Sequence, residues 1–187
     1  KLGFEHIANL NGYDHILFLI VLCAVYQLNQ WRNILILVTA FTIGHSITLF
    51  LVSLNFLYIP SKVIKLLIPI TILITALHNI ISSNQIEINS RIKKKYFICL
   101  FFGLIHGMDF SNYFRALIMS PDEITIPLLG FNIGIELGQL LIVLFIVLIS
   151  FVFVNIIKVK HYKWNIFISG AAFGTSILSI LEMIFSK

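Results

Sequence analysis

Six ionisable side chains interrupt long apolar runs in this chain: Asp14 and His15 in "NGYDHILFL", His45 in "FTIGHSITLF", His106 and Asp109 in "FFGLIHGMDF", and Glu136 in "FNIGIELGQ". Neutral imidazoles and ionised carboxylates make the mixed nitrogen and oxygen ligand set that accepts Zn, Ni, Co, Mn or Fe. A charge left unpaired at the centre of a bilayer costs about 2.5–3.5 kcal/mol. Apart from Arg115, near the end of its run, no Lys or Arg lies in the apolar bodies that hold these acids. A dication held by His15, His45, His106 and one or two of the carboxylates Asp14, Asp109 and Glu136 would neutralise them. Asn132, Gln139 and Ser46 could then orient the ligands. Asn132, Glu136 and Gln139 are spaced i, i+4, i+7, and His106 and Asp109 i, i+3, so each set shares one helix face. Taken singly, any one of the histidines reads equally well as an interhelical hydrogen-bond donor, and His–carboxylate pairs relaying protons are the main rival to a metal. Their joint clustering favours the metal. His78, in "TALHNI", reads as a second station on a path inward or as a capping residue, and His161, among lysines, as a solvated side chain.

The elements that must position these groups are membrane helices. Of the 187 residues 59% are hydrophobic and 11% charged, and the mean hydropathy is +0.99. No soluble domain could cover its surface with so few polar groups, so lipid covers it instead. With about 20 apolar residues needed per crossing, the chain divides into six spans, roughly 13–29, 34–57, 62–82, 96–118, 126–156 and 164–185. The expected fold is therefore an all-α polytopic bundle forming a single transmembrane domain. The stretch "SSNQIEINSRIKKK" divides it into halves of three helices. Cys23 and Cys99 lie inside apolar runs without a spacing partner and read as small packing residues. Lys1 stands where an initiator Met would, which suggests a mature or trimmed product, although no signal peptide is visible.

The formal charge of +5 comes from short connections rather than from a basic face, which argues against a nucleic-acid partner. Arg32, Arg91, Lys93, Lys94, Lys95, Lys158, Lys160 and Lys163 fall on one side of the membrane. Lys1, Lys62, Lys65, Arg115 and Lys187 fall on the other. The positive-inside rule then puts both termini outside the cytoplasm in a plasma (bacterial inner) membrane. In that orientation most of the six residues share the outer half of the bilayer, with His45 near its midplane. Gly130, Gly134 and Gly138, and Gly170 and Gly174, recur every four residues and predict smooth ridges for close helix packing or for a homo-oligomer contact.

Those four motifs, in this order and on different helices, resemble the HupE/UreJ family of small membrane proteins, regarded as nickel or cobalt permeases that serve hydrogenase and urease maturation. The resemblance covers nearly the whole chain. It implies a six-helix permease in which Asp14, His15, His45, His106 and Glu136 occupy the motif positions thought to handle metal. The family pattern places a His five residues before Asp-His. Here His6 precedes Asp14 by seven intervening residues, which suggests that it is displaced from the site. Asp109 stands where the family tends to have Gly, and His78-Asn79 where it often has Glu-Asn. Two functions then compete. One is a permease for a divalent transition metal, Ni, Co or Zn, captured from outside. The other is an intramembrane metalloenzyme, a zinc-type hydrolase of a lipid or lipid-linked substrate, with Asp109 or Glu136 as general base.

Overall fold

A computed structural model describes residues 1–9, 12–57, 59–82, 92–117 and 125–185, and their side chains except those of 111–117 and 125. Asp122, Glu123 and Lys187, the side chain of Arg115, and all of residues 83–91 of the polar connection, Arg91 included, lie outside the described part. Seven α-helices and no strand occur among the described residues: α1 (Leu2–Ile7), α2 (Asp14–Ala24), α3 (Trp31–Ser53), α4 (Ser61–Ile81), α5 (Ile92–Leu117), α6 (Thr125–Phe151) and α7 (His161–Phe185). A π-helical turn, Val152–Ile156, extends α6. Among the described residues four stretches are long and apolar enough to cross a membrane: Leu28–Ser53, Ser61–Ile81, Ile126–Ile156 and His161–Phe185. The chain is an integral membrane protein, an all-α bundle whose large exposed side chains, such as Leu129, Ile133, Leu137 and Phe145, form an apolar exterior suited to lipid.

Two elements depart from the spans read in the sequence. The first run, 13–29, gives an α-helix of only 11 residues, about 16 Å at 1.5 Å per residue and half of a 30 Å hydrocarbon core. Its end frees backbone carbonyls that have no helical partner. One of them, Val21 O, accepts from Asn79 Nδ2 at 2.8 Å. Asn79 O in turn accepts from Asn165 Nδ2 at 3.1 Å, and Asn165 Oδ1 accepts from the Ser169 hydroxyl at 3.1 Å. These buried bonds tie α2, α4 and α7 together, and they are strong inside a low-dielectric bundle because water cannot replace them. The second departure is α1, six residues too polar and too short to read as a span. Gly3 faces the α6 backbone at Phe131, and Gly134 faces α1 at Gly3 and Phe4. A methyl group at Gly3 would collide with the Phe131 carbonyl, so two glycines let α1 lie directly against α6.

The most extensive helix contact is between α3 and α5. A methyl group on Gly44 would strike the Leu100 backbone, one on Gly103 the Phe41 carbonyl, and one on Gly107 the His45 backbone. Phe41 meets Gly103 and His45 meets Gly107, four residues on in each chain, so the two helices run parallel with matched turns. Thr48 Oγ1 donates to Leu104 O at 2.8 Å across the same seam. The glycine ridges read in the sequence behave differently. Gly134 and Gly138 receive α1, whereas a methyl group on Gly130, Gly170 or Gly174 would meet no neighbouring element within 4 Å among the described residues.

Candidate metal centre

Each histidine reaches the site through one of these contacts. Gly44 and Gly107 flank His45 and His106 in sequence and hold α3 against α5, which brings both imidazoles into the bundle with no exposed surface. His15 opens α2, one residue after Asp14, and is buried. His6 arrives on α1. Its ring centroid lies 4.8 Å from that of His15 and 5.7 Å from that of His45, and His15 and His45 are 5.9 Å apart. Among the described His, Cys, Asp and Glu side chains, His6, His15 and His45 offer ligand atoms that all lie within 4.8 Å of one another. Three imidazole nitrogens about 2.05 Å from a tetrahedral ion would be about 3.3 Å apart, so a modest closure would bring the three to metal-ligand spacing.

His106 stands behind them. Its ring is 5.0 Å from His15, and its Nε2 is 3.0 Å from the Thr71 hydroxyl of α4. Phe110 packs on His6 at 4.2 Å, and Phe131 stacks along His45 at 6.4 Å, walling the cluster with rings that cannot hydrogen-bond. Five imidazole nitrogens are buried with no hydrogen-bond partner among the described residues: His6 Nε2, His15 Nε2, both nitrogens of His45, and His106 Nδ1. A buried polar atom without a partner costs on the order of 1–3 kcal/mol. A fold does not gather several such atoms at one point for packing, but a cation would satisfy them together. In the short helix α1, outside the spans, burial pushes the His6 imidazole down from its ordinary 6.5 to about 4. It is therefore neutral, the form that binds metal, at physiological pH.

The carboxylates take other places. Asp14 and Asp109 line an open vestibule of about 460 Å3 in front of the histidines, with Glu5, His6 and His15, and the two acids repel each other across it. Lys65 of α4 interacts with Asp109 electrostatically. Among the described residues the ion pair present is Lys1–Glu5, at 3.8 Å on the surface, and neither vestibule acid forms a salt bridge with another described residue. Glu136 turns towards α3, where its Oε1 accepts from the Thr39 hydroxyl at 3.0 Å. Gln139 Oε1 accepts from Thr42 Oγ1 at 2.6 Å, and its Nε2 is left without a partner. Ser46 donates to Thr42 O at 2.7 Å, closing a turn of its own helix rather than orienting an imidazole. Asn132 is half-buried with Oδ1 unpartnered. His78 lies near the other end of α4, far along the chain's path from the cluster, on a separate cavity.

Geometry thus draws His6 inward, where the sequence spacing suggested displacement. The seven-residue interval is absorbed by the connection between α1 and α2, and Gly3 against Gly134 fixes α1 at the required depth. Thr71, Thr39 and Thr42 went unnoticed in sequence because hydroxyls are common in membrane helices. The one available signal was the glycine beside each core histidine, Gly44-His45 and His106-Gly107. No curated protein and no solved structure matches the chain. The model of the HupE / UreJ protein family matches residues 1–184. With its four motifs, its all-α membrane architecture and a histidine cluster at their meeting point, the chain belongs to the HupE/UreJ family, which is associated with nickel and cobalt transport.

Proposed function

We propose that this protein is a permease for a divalent transition metal and that His6, His15 and His45 are the ligands that first hold the ion. The observation that carries the reading is the set of five buried imidazole nitrogens without partners among the described residues, on a cluster in which His6, His15 and His45 bring ligand atoms within 4.8 Å of one another. Asp14 and Asp109 at the vestibule concentrate cations and draw them off their waters. Asp14 also sits in the first turn of α2, where its charge offsets the positive helix end that would otherwise repel an incoming ion. His106, braced by Thr71, orients His15 or takes the ion as it moves deeper. With the basic connections in the cytoplasm, the vestibule faces outward and both termini are extracytoplasmic. Imidazole-rich coordination suits Ni, Co and Zn alike, so cellular supply rather than affinity selects the ion.

The hydrolase reading draws less support. Its general base would have to touch a metal-bound water, yet Glu136 accepts from Thr39 and Asp109 is exposed at the mouth. Purified protein in sealed vesicles, loaded with Ni, Co or Zn, tests the choice. Accumulation of the ion inside, lost in His15→Ala, supports the permease. Stoichiometric metal that neither exchanges nor crosses would favour the hydrolase. Failure to bind any of the three ions would remove the basis of both.

A further inference from the structure

Helices joined by a turn as short as residues 157–160 ordinarily pack against each other as antiparallel neighbours. α6 and α7 scarcely do. They meet through the π-helical turn, where Phe153 stacks on Trp164 at 4.7 Å between centroids, while α2 packs against both of them. The gap that remains is a groove of about 410 Å3. Ile16 and Ile20 of α2, Leu141, Phe145 and Ile149 of α6, and Ile168 of α7 line it. From Leu141 to Ser150 it runs about 13 Å at 1.5 Å per residue, close to the 15 Å or so of hydrocarbon in one leaflet. Apolar walls give water no partners, and an empty groove forfeits the dispersion contacts of its lining. Inside a membrane the material at hand to fill it is an acyl chain.

At the basic end of the bundle the groove continues into a polar cavity of about 260 Å3, and Leu28 and Ser150 line both. Gln27, Asn29 and Asn155 bring amide groups to this cavity, and His161 borders it with its Nε2 donating to Tyr26 O at 3.4 Å. Asn155 belongs to the π-helical turn, whose wider winding, with Ile157 N donating to Val152 O at 2.9 Å, falls where α6 changes from apolar to polar company. Lys158, Lys160 and Lys163, all exposed, flank His161 in the chain, and Lys158 turns the backbone there at φ 65°. No acid lines either cavity. Trp31 and Tyr162, exposed rings next in sequence to this region, mark the depth of the headgroups. Apolar groove, amide-lined pocket and lysines thus succeed one another in the order of tail and phosphate in a phospholipid. We propose that together they form a binding site for one anionic phospholipid, with its acyl chain in the groove among α2, α6 and α7 and its phosphate taken by the Asn29 and Asn155 amides and by Lys158 and Lys160.

Trp164 lines the groove, and Trp31 is the other tryptophan of the chain, so Trp31→Phe leaves a single fluorophore at the site. A brominated acyl chain quenches tryptophan on contact. The Trp31→Phe protein is reconstituted, free of metal, into phosphatidylcholine vesicles that carry a minor share of brominated phosphatidylglycerol or the same share of brominated phosphatidylcholine. The anionic lipid is expected to reach half-quenching at a share about fivefold lower, the factor that one lysine near a phosphate gives. Lys158→Gln with Lys160→Gln should erase that preference. Lys93→Gln with Lys94→Gln, at the same end but on α5, which contributes to neither cavity, should keep it. Ile20→Phe, which fills the groove, should weaken quenching by both lipids. Equal quenching by the two lipids would overturn the site, and so would an equal loss of preference in both lysine pairs, the mark of diffuse attraction to a basic surface. Quenching unaltered by Ile20→Phe would put the chain outside the groove and overturn it as well. No arm contains metal, so this site and the permease reading stand or fall separately.

Discussion

Two sets of buried polar side chains lie within a turn of each other in this bundle, and their hydrogen bonds differ. Between α3 and α6, both acceptors are met: Glu136 has the Thr39 hydroxyl and Gln139 Oε1 has that of Thr42, with Gln139 Nε2 the one atom of the pair left over among the described residues. Among α1, α2, α3 and α5, four histidines leave five nitrogens without a partner among the described residues. The first arrangement is what interhelical polar contacts in a membrane usually look like: a donor on one helix meets an acceptor on the next, for a gain on the order of 0.6–2 kcal/mol. The second is costly unless something else completes it. A satisfied network binds helices to each other, and an unsatisfied one at the end of a vestibule binds a ligand. The two regions should therefore respond oppositely to removal of their polar groups.

The largest effect is expected at His45. His45→Leu removes two unpartnered nitrogens from a fully buried position and replaces them with a side chain of similar bulk. Metal binding should disappear, a greater loss than the roughly 10–100-fold that follows removal of an orienting partner. The metal-free protein should melt at the same temperature as the wild type or higher, because an unmet polar demand is gone. Isothermal titration with Ni2+ or Co2+ and a thermal melt in detergent measure the two quantities. A variant that binds normally would mean that the ion sits elsewhere. One that loses both binding and stability would mean that the imidazole was a structural partner after all.

Acid should act on the histidine region and spare the other. The folded protein holds the His6 proton less tightly than the unfolded chain does, at about 4 against 6.5. The stability tied to neutral His6 is thus fully present above pH 6.5 and is lost as the pH falls through 4. A shift of that size is worth on the order of 3 kcal/mol. Melting of metal-free protein should drop across that window, and His6→Phe should flatten the drop while leaving the neutral-pH melt near its original value. An unchanged acid profile in His6→Phe would show that α1 does not hold its imidazole in the bundle.

Thr71 marks the border between the two regions, since it is a satisfied hydroxyl that serves an imidazole. Thr71→Val keeps the shape and removes the 3.0 Å contact to His106 Nε2. Metal affinity should fall about 10–100-fold, the usual cost of losing an orienting partner, with apparent charge and fold unchanged. No change in affinity would place His106 outside the machinery.

How much of this could be read in the chain depends on what kind of information each feature needs. The long apolar runs of α3, α4, α6 and α7 announce themselves because lipid demands apolar side chains over a fixed length. Asp14, His15, His45 and His106 stand out because ionisable groups in such runs need a reason. Which carboxylates join the histidines was not legible, since spacing gives the face of a helix but not the neighbour that the face meets. Glu136 shares a face with Gln139, and that face meets threonines. Glycine spacing has the same limit. Gly170 and Gly174 repeat as regularly as Gly103 and Gly107, yet only the second pair has a backbone pressed against it. His6 was legible as a histidine but not as a neighbour, because a six-residue helix gives no periodic signal and its position depends on a glycine of α6.

The smallest effect is expected from Glu136→Gln, and it sharpens the comparison because the family resemblance counts this position among those that handle metal. The substituted amide keeps an oxygen that can accept from Thr39 and loses only the carboxylate's charge. If the region between α3 and α6 is structural, melting should move by no more than roughly the 0.5 kcal/mol typical of substitutions away from critical features, and equilibrium metal affinity should stay within the error of titration. Uptake into vesicles is the more searching measurement. Slowed uptake with normal affinity would assign the carboxylate to an ion in transit past Thr39, after it has left the histidines. Lost affinity would extend the ligand set to α6, and the boundary between the satisfied network and the binding site would move one helix over.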